Sequence, residues 1–85
     1  MDRALVELHL KQALEHIALG ERHIARQHEI VAQIKERGAD STEAERLLAT
    51  FEATQAMHIA HRDRIEQELA AIEQHQKRST LNPGR

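Results

Sequence analysis

Apolar side chains recur at every seventh residue along the second half of the chain. A strict seven-residue repeat is typical of a helix that packs against other helices along its whole length, because seven residues make about two turns. One member of this row is polar, a histidine near the middle of the predicted helix. The row, which we call the spine, consists of Ala44, Phe51, His58, Ile65 and Ile72.

The first half of the chain carries two overlapping apolar seams. Both contain the heptad row Leu10, Ile17, Ile24 and Val31. Together they are wider than a contact with a single helix requires, so we expect the first helix to touch more than one neighbour. The first seam adds Leu14, Glu21 and His28, and the second adds Ala13, Gly20, Gln27 and Ile34.

A short turn signal separates the two patterns. Gly38 suits the left-handed residue that closes a helix, and Asp40 with Glu43 fits an aspartate variant of the capping box. Such a short connection predicts helices that lie side by side and antiparallel. We predict a hairpin domain over 1–77, with a helix over 3–37 capped by Asp2, a turn at 38–40, a helix over 41–77 and a disordered tail over 78–85.

The composition of the 85-residue chain supports an all-α fold. Phe51 is the only aromatic residue and Pro83 the only proline, whereas β-rich folds favour aromatic and β-branched residues. Each helix would be about 50 Å long. An isolated hairpin of that length is a thin rod that leaves part of each seam in water.

Self-association is the simplest way to cover the remaining apolar surface. The chain has no cysteine, and small folds without disulfides or metals commonly need a partner. We therefore expect a coiled-coil-like antiparallel hairpin that dimerises into a four-helix bundle. The predicted packing residues are Leu10, Ile17, Ile24, Val31, Leu48, Phe51, Ile65, Leu69 and Ile72.

Part of the chain is similar to a known group of proteins. The similarity lies in three blocks of residues, 20–27, 38–44 and 47–55, and in the following His58 and Arg62. Over residues 17–69 the chain resembles short uncharacterised helical-hairpin proteins of rhizobial-type α-proteobacteria. The resemblance implies a helical hairpin. It implies no activity, substrate, cofactor or catalytic residue.

A polar group is predicted at the centre of the hairpin. If the turn sets the register, facing residues have numbers that sum to about 79. Glu21 then faces His58, with Gly20 beside it and with His61 and Arg62 one turn away. Our first interpretation is a buried hydrogen-bonded layer that fixes register and partner number. Gly20 is either a tolerated glycine or the place where a neighbouring helix or a large side chain approaches closely.

The alternative interpretation is a metal- or pH-responsive sensor. Two copies of Glu21, His58 and His61 would supply enough ligands for zinc or another first-row divalent ion. Two features argue against it: di-iron bundles use Glu-x-x-His pairs, which this sequence lacks, and the positive charge of Arg62 would oppose a cation. The first interpretation therefore includes no cofactor.

Histidine is frequent throughout the chain. Protonation of all seven histidines would take the formal charge from −2 to +5, and imidazoles gain protons between about pH 7 and 5. His9, His16 and His23 form a heptad row on the first helix. They are either boundary residues at a helix–helix rim or a row of ligands, but successive members lie about 10 Å apart, too far to share one ion.

Several other classes of function are disfavoured. Ser41, Thr42 and Thr50 lie far from any histidine–carboxylate pair in the expected hairpin, and no glycine-rich loop is present to cradle phosphate. We therefore expect no enzymatic activity. The 12 basic and 14 acidic residues are interspersed, without the basic stripe of a nucleic-acid-binding protein.

The expected location is cytoplasmic, since we find neither a signal-peptide pattern nor an apolar run of the roughly 20 residues that span a bilayer. The lack of cysteine leaves the redox compartment open. The sequence thus predicts a structural or interaction module that forms a homodimer or binds another helical protein.

Overall fold

Two long helices form an antiparallel hairpin. The computed structural model describes residues 2–81, with the side chains of 2–78; α1 spans Arg3–Glu36 and α2 spans Thr42–Leu81. The molecule measures 74 × 16 × 14 Å. Its radius of gyration is 20.2 Å, compared with about 12 Å for a compact domain of this length. The predicted all-α helical hairpin is confirmed.

Both ends of α1 have the local structure that the sequence predicts. The Asp2 carboxylate accepts a hydrogen bond from the Ala4 amide at 3.3 Å, which satisfies one of the free amides of the first turn. At the other end Gly38 has a φ of +72°. The Gly38 amide donates to Lys35 O at 2.9 Å and the Ala39 amide to Ile34 O at 3.1 Å, the two hydrogen bonds of a Schellman motif.

The start of α2 differs from the predicted capping box. Asp40 does accept hydrogen bonds from the Thr42 amide at 3.0 Å and the Thr42 hydroxyl at 2.6 Å. The predicted partner Glu43 is replaced by Glu45, which accepts from the Ser41 hydroxyl at 2.9 Å. The reason is that α2 begins at Thr42, which leaves Ser41 at the N-cap position, one helical turn before Glu45.

The far end of α2 lies beyond the predicted boundary. The helix continues to Leu81, four residues past the predicted end at residue 77, because no helix breaker occurs before Pro83. The rest of the predicted tail, 82–85, lies outside the described residues. Arg3 donates to Gln76 at 2.8 Å and to Glu73 at 3.2 Å, which ties the start of α1 to the last turns of α2.

The second of the two seams on α1 faces α2. Residues such as Leu14, Glu21 and His28, which belong to the first seam alone, are exposed. Of the predicted packing residues, Ile17, Val31 and Ile65 are buried, and the other six are half-buried. The buried apolar side chains are Val6, Ala13, Ile17, Val31 and Ile65, and Leu10, Leu69 and Ile72 pack against this core.

The register of the hairpin is shifted by about one turn from the predicted one. Gly20 lies opposite Gln55, and His23 lies against Phe51, so facing residues have numbers that sum to about 75 instead of 79. Matching of the apolar rows sets this register, and the midpoint of the turn does not. With the predicted register, the second seam of α1 would face exposed positions of α2 such as Glu66.

Within residues 2–81, neither helix contains a stretch long and apolar enough to cross a membrane.

Candidate functional site

The predicted polar layer does not form. Glu21 is exposed and lies in a row that does not face His58, because of the register shift. Arg62 is half-buried and binds its neighbours on α2, Asp63 at 2.8 Å and Glu66 at 3.6 Å. His61 is exposed, and His58 is half-buried. These four residues therefore do not share one hydrogen-bonded cluster.

Gln55 and Gly20 occupy the middle of the hairpin instead. Gln55 is only 7% exposed, and its Nε2 donates to the Ile17 carbonyl of the opposite helix at 2.9 Å. A Cβ atom built on Gly20 would overlap Gln55 Oε1 and would lie 2.8 Å from Cδ. Gly20 therefore leaves the space that the Gln55 side chain fills, which supports the second interpretation of this glycine.

A second glutamine makes the same kind of bond in the opposite direction. Gln27 of α1 is 4% exposed, and its Nε2 donates to the Ala44 carbonyl of α2 at 2.8 Å. Gln27 lies in the second seam of α1, and Gln55 lies in the heptad row of the predicted packing residues Leu48 and Leu69. The pattern contained no signal that these polar side chains, and not the charged ones, would be buried.

The Gln55 oxygen remains without a hydrogen-bond partner. Oε1 is buried and accepts no conventional hydrogen bond from the residues that the structure describes. It faces the bare Cα of Gly20, where a weak Cα–H···O contact is the available interaction.

An open cavity of about 330 Å³ lies beside Gln55. His16 and His58 meet there edge to face, with ring centres 5.4 Å apart and ring planes at 84°. His23 packs against Phe51 with ring centres 5.8 Å apart. The lining residues are His16, Leu19, Gly20, His23, Thr50, Phe51, Thr54, Gln55 and His58.

Histidines continue along the same edge of the hairpin. A cavity of about 260 Å³ is lined in part by His9, His16 and His61, and one of about 440 Å³ by His58, His61 and Arg64. Among the described residues, none that lines these three cavities is acidic. The histidine edge, as we call it, contains His9, His16, His23, His58 and His61, and the heptad row of His61 continues with Glu68 and His75.

Large apolar side chains are exposed along the histidine edge. Leu19 is 48% exposed and lines the central cavity, and Met57 is 70% exposed and lines a neighbouring one. Two more exposed leucines lie in heptad rows of this edge. Leu5 is in the row of Leu19, and Leu47 is in the row of Thr54, which lines the central cavity. These side chains form an apolar border on both sides of the histidines.

The opposite edge is acidic. This edge is formed by the heptad row of Lys35 on α1 and the heptad row of Glu45 on α2, which an ion pair of 3.4 Å between these two residues joins. Leu14, His28 and Ile59 belong to the same two rows. The glutamate edge, as we call it, contains Glu7, Glu21, Glu45, Glu52, Glu66 and Glu73.

The predicted metal ligands are not brought together. Among the described residues, no group of three or more histidine, aspartate or glutamate side chains is placed to hold a metal ion. Glu21 lies on the glutamate edge, whereas His58 and His61 lie on the histidine edge. The register shift separates the carboxylate from the imidazoles.

No protein-family model matches the chain, and no significant match was found among curated proteins or solved structures. The resemblance to rhizobial-type hairpin proteins therefore stays a prediction.

Proposed function

We propose that this protein is a non-enzymatic interaction module, a helical hairpin that pairs with a second copy of itself to form a four-helix bundle. The observation that carries the proposal is the histidine edge, where the exposed Leu19 lines an open cavity of about 330 Å³ and the exposed Met57 lines a neighbouring one. A second hairpin would cover the cavity and these side chains together.

The exposed area of the hairpin is that of an incomplete fold. Its accessible surface is 6555 Å², whereas a compact monomer of this mass exposes about 5,100 Å². A standard interface covers about 800 Å² on each partner. The excess surface is therefore large enough to supply one side of a stable dimer.

Electrostatics favours the histidine edge over the glutamate edge as the interface. Pairing two glutamate edges would place like charges against each other, which is destabilising. The histidine edge avoids this repulsion between carboxylates, because none of the described residues that line its three cavities is acidic. A dimer with two-fold symmetry uses the same patch on both copies, and the histidine edge extends on both sides of the middle of the hairpin.

Two matched leucine substitutions test which surface is the interface. Leu19 and Leu8 lie on the same helix and are each 48% exposed. Leu8 belongs to the outward row of Glu15, Arg22 and Glu29. We expect Leu19→Asp to convert the dimer into a monomer, because the dimer would bury an unpaired charge, and we expect Leu8→Asp to leave the dimer intact.

Light scattering on a sizing column gives the mass of each variant, and circular dichroism confirms that each remains helical. An interface at the histidine edge would be contradicted if both substitutions dissociated the dimer to the same extent, or if neither substitution dissociated it. A helical wild-type protein that stays monomeric would overturn self-association and would assign the edge to a different helical partner.

A further inference from the structure

His16 and His58 approach each other from different helices at the centre of the histidine edge. Their ring centres are 5.4 Å apart. Imidazole nitrogens bind zinc at about 2.0–2.1 Å, so two imidazoles on one tetrahedral zinc ion have ring centres about 5 Å apart. The two histidines thus have the spacing of two ligands that share an ion.

The surroundings of the pair are compatible with a cation. The central cavity opens beside both rings, and its lining within residues 2–78 includes neither lysine nor arginine. Arg62, the cation expected to oppose a metal, is bound by Asp63 and Glu66. Arg64 lines the adjoining cavity with His61.

We propose that His16 and His58 bind a zinc ion whose coordination is completed by the same two histidines of a second copy. This inference rests on the proposed dimer, since one described chain supplies no group of three ligands. A two-fold axis beside the pair brings two copies of it together. Four neutral imidazoles then fill the tetrahedral shell that structural zinc prefers.

Zinc at this position would stabilise the dimer over the monomer. A ligand that binds one state and not the other shifts the equilibrium toward the state it binds. The ion would also hold His16 of α1 and His58 of α2 together within each chain. The expected consequence is a zinc-dependent increase in dimer affinity, absent when either histidine is removed.

The test uses the untagged full chain, stripped of metal with a chelator and then titrated with zinc chloride. Bound zinc per chain and molar mass are measured together, and we expect one zinc ion per two chains. Replacing one ligand should weaken zinc binding by at least about tenfold, since even outer-shell substitutions weaken metal sites that much. His16→Ala is the first variant, because His16 is exposed and its removal should not disturb folding.

His58→Gln is the second ligand variant, and it keeps a polar side chain at a half-buried position. His28→Ala is the matched control, because His28 is an exposed histidine of α1 in a row of the glutamate edge. It should bind zinc as the wild type does. Cobalt(II) in place of zinc should give the intense visible absorption of a tetrahedral site in the wild type and in His28→Ala only.

The outcomes separate the two proposals. A metal-free dimer that binds zinc no more tightly than His16→Ala would overturn the zinc site and leave the proposed dimer standing. One zinc ion per monomeric chain would overturn completion of the site by a second copy. Zinc-strengthened dimerisation that both ligand variants lose and His28→Ala keeps would support the site.

Discussion

At the scale of single residues, the contact between Gly20 and Gln55 is the most specific feature of the hairpin. The missing side chain of one residue provides the space for the amide of the other, and that amide bonds to the Ile17 carbonyl. The buried position of the Gln55 amide thus depends on the glycine at position 20. The pair therefore should show strong energetic coupling.

Gly20→Ala should destabilise the protein although alanine is the better helix former. The new Cβ displaces Gln55, and a buried amide without its hydrogen bond costs about 1–3 kcal/mol, which exceeds the gain of about 1 kcal/mol in helix propensity. In a Gln55→Ala background the clash disappears. There Gly20→Ala should stabilise by about 1 kcal/mol.

Urea unfolding of the wild type, the two single variants and the double variant, at one chain concentration, measures the coupling energy between residues 20 and 55. A stabilising effect of Gly20→Ala in the wild-type background would contradict the close approach of Gln55.

The sequence predicted that a glycine in the seam could admit a large neighbour, but it did not identify Gln55 as that neighbour. The identity depends on the register, because a shift of about one turn replaces His58 by Gln55 as the residue nearest Gly20. Burial of Gln27 and Gln55 depends on whether a backbone carbonyl lies within reach of each amide. Periodicity carries no information about that distance.

At the scale of the helices and their turn, the sequence was most informative about the caps. The capping roles of Asp2 and Gly38 follow from their residue types, so they can be predicted without knowledge of the rest of the fold. The assignment of Glu43 to the cap failed because a shift of one residue in the helix start changes which carboxylate is in reach. The prediction of the register failed because packing of the apolar seams, and not the midpoint of the turn, decides which residues face each other.

Two carboxyl groups at the turn make the hairpin sensitive to acid. Hydrogen bonds from the Thr42 side chain and amide hold the pKa of Asp40 below its ordinary value. The Ser41 hydroxyl, and then the Lys35 ammonium, lower the pKa of Glu45. A lowered folded pKa means that the ionised group contributes stability above its unfolded pKa, and that this contribution is lost as the pH falls through the folded pKa.

Asp40→Asn should therefore be destabilising at neutral pH and nearly neutral at a pH below the lowered folded pKa of Asp40, where the wild-type carboxyl is itself protonated. Urea unfolding at the two pH values gives the difference. Glu43→Gln is the matched control, because Glu43 is an exposed acidic residue of the first turn that the structure does not place in the cap. An Asp40→Asn effect of equal size in acid would contradict the capping role.

At the scale of the whole molecule, the two edges differ in charge and in apolar content. The heptad pattern predicted His9, His16 and His23 as a row at the rim of the helix pair, and the structure places them there. It did not predict that His58 and His61 of α2 would lie on the same edge, because that requires the register. The collection of five histidines on one edge follows from the antiparallel pairing.

The most direct test of self-association is the molar mass of the untagged wild-type protein at about pH 7.5, in chelator, over a range of concentrations. A concentration-dependent approach to twice the 9.7 kDa of one chain is the predicted result. A helical species that remains at the mass of one chain at every concentration would contradict the four-helix bundle.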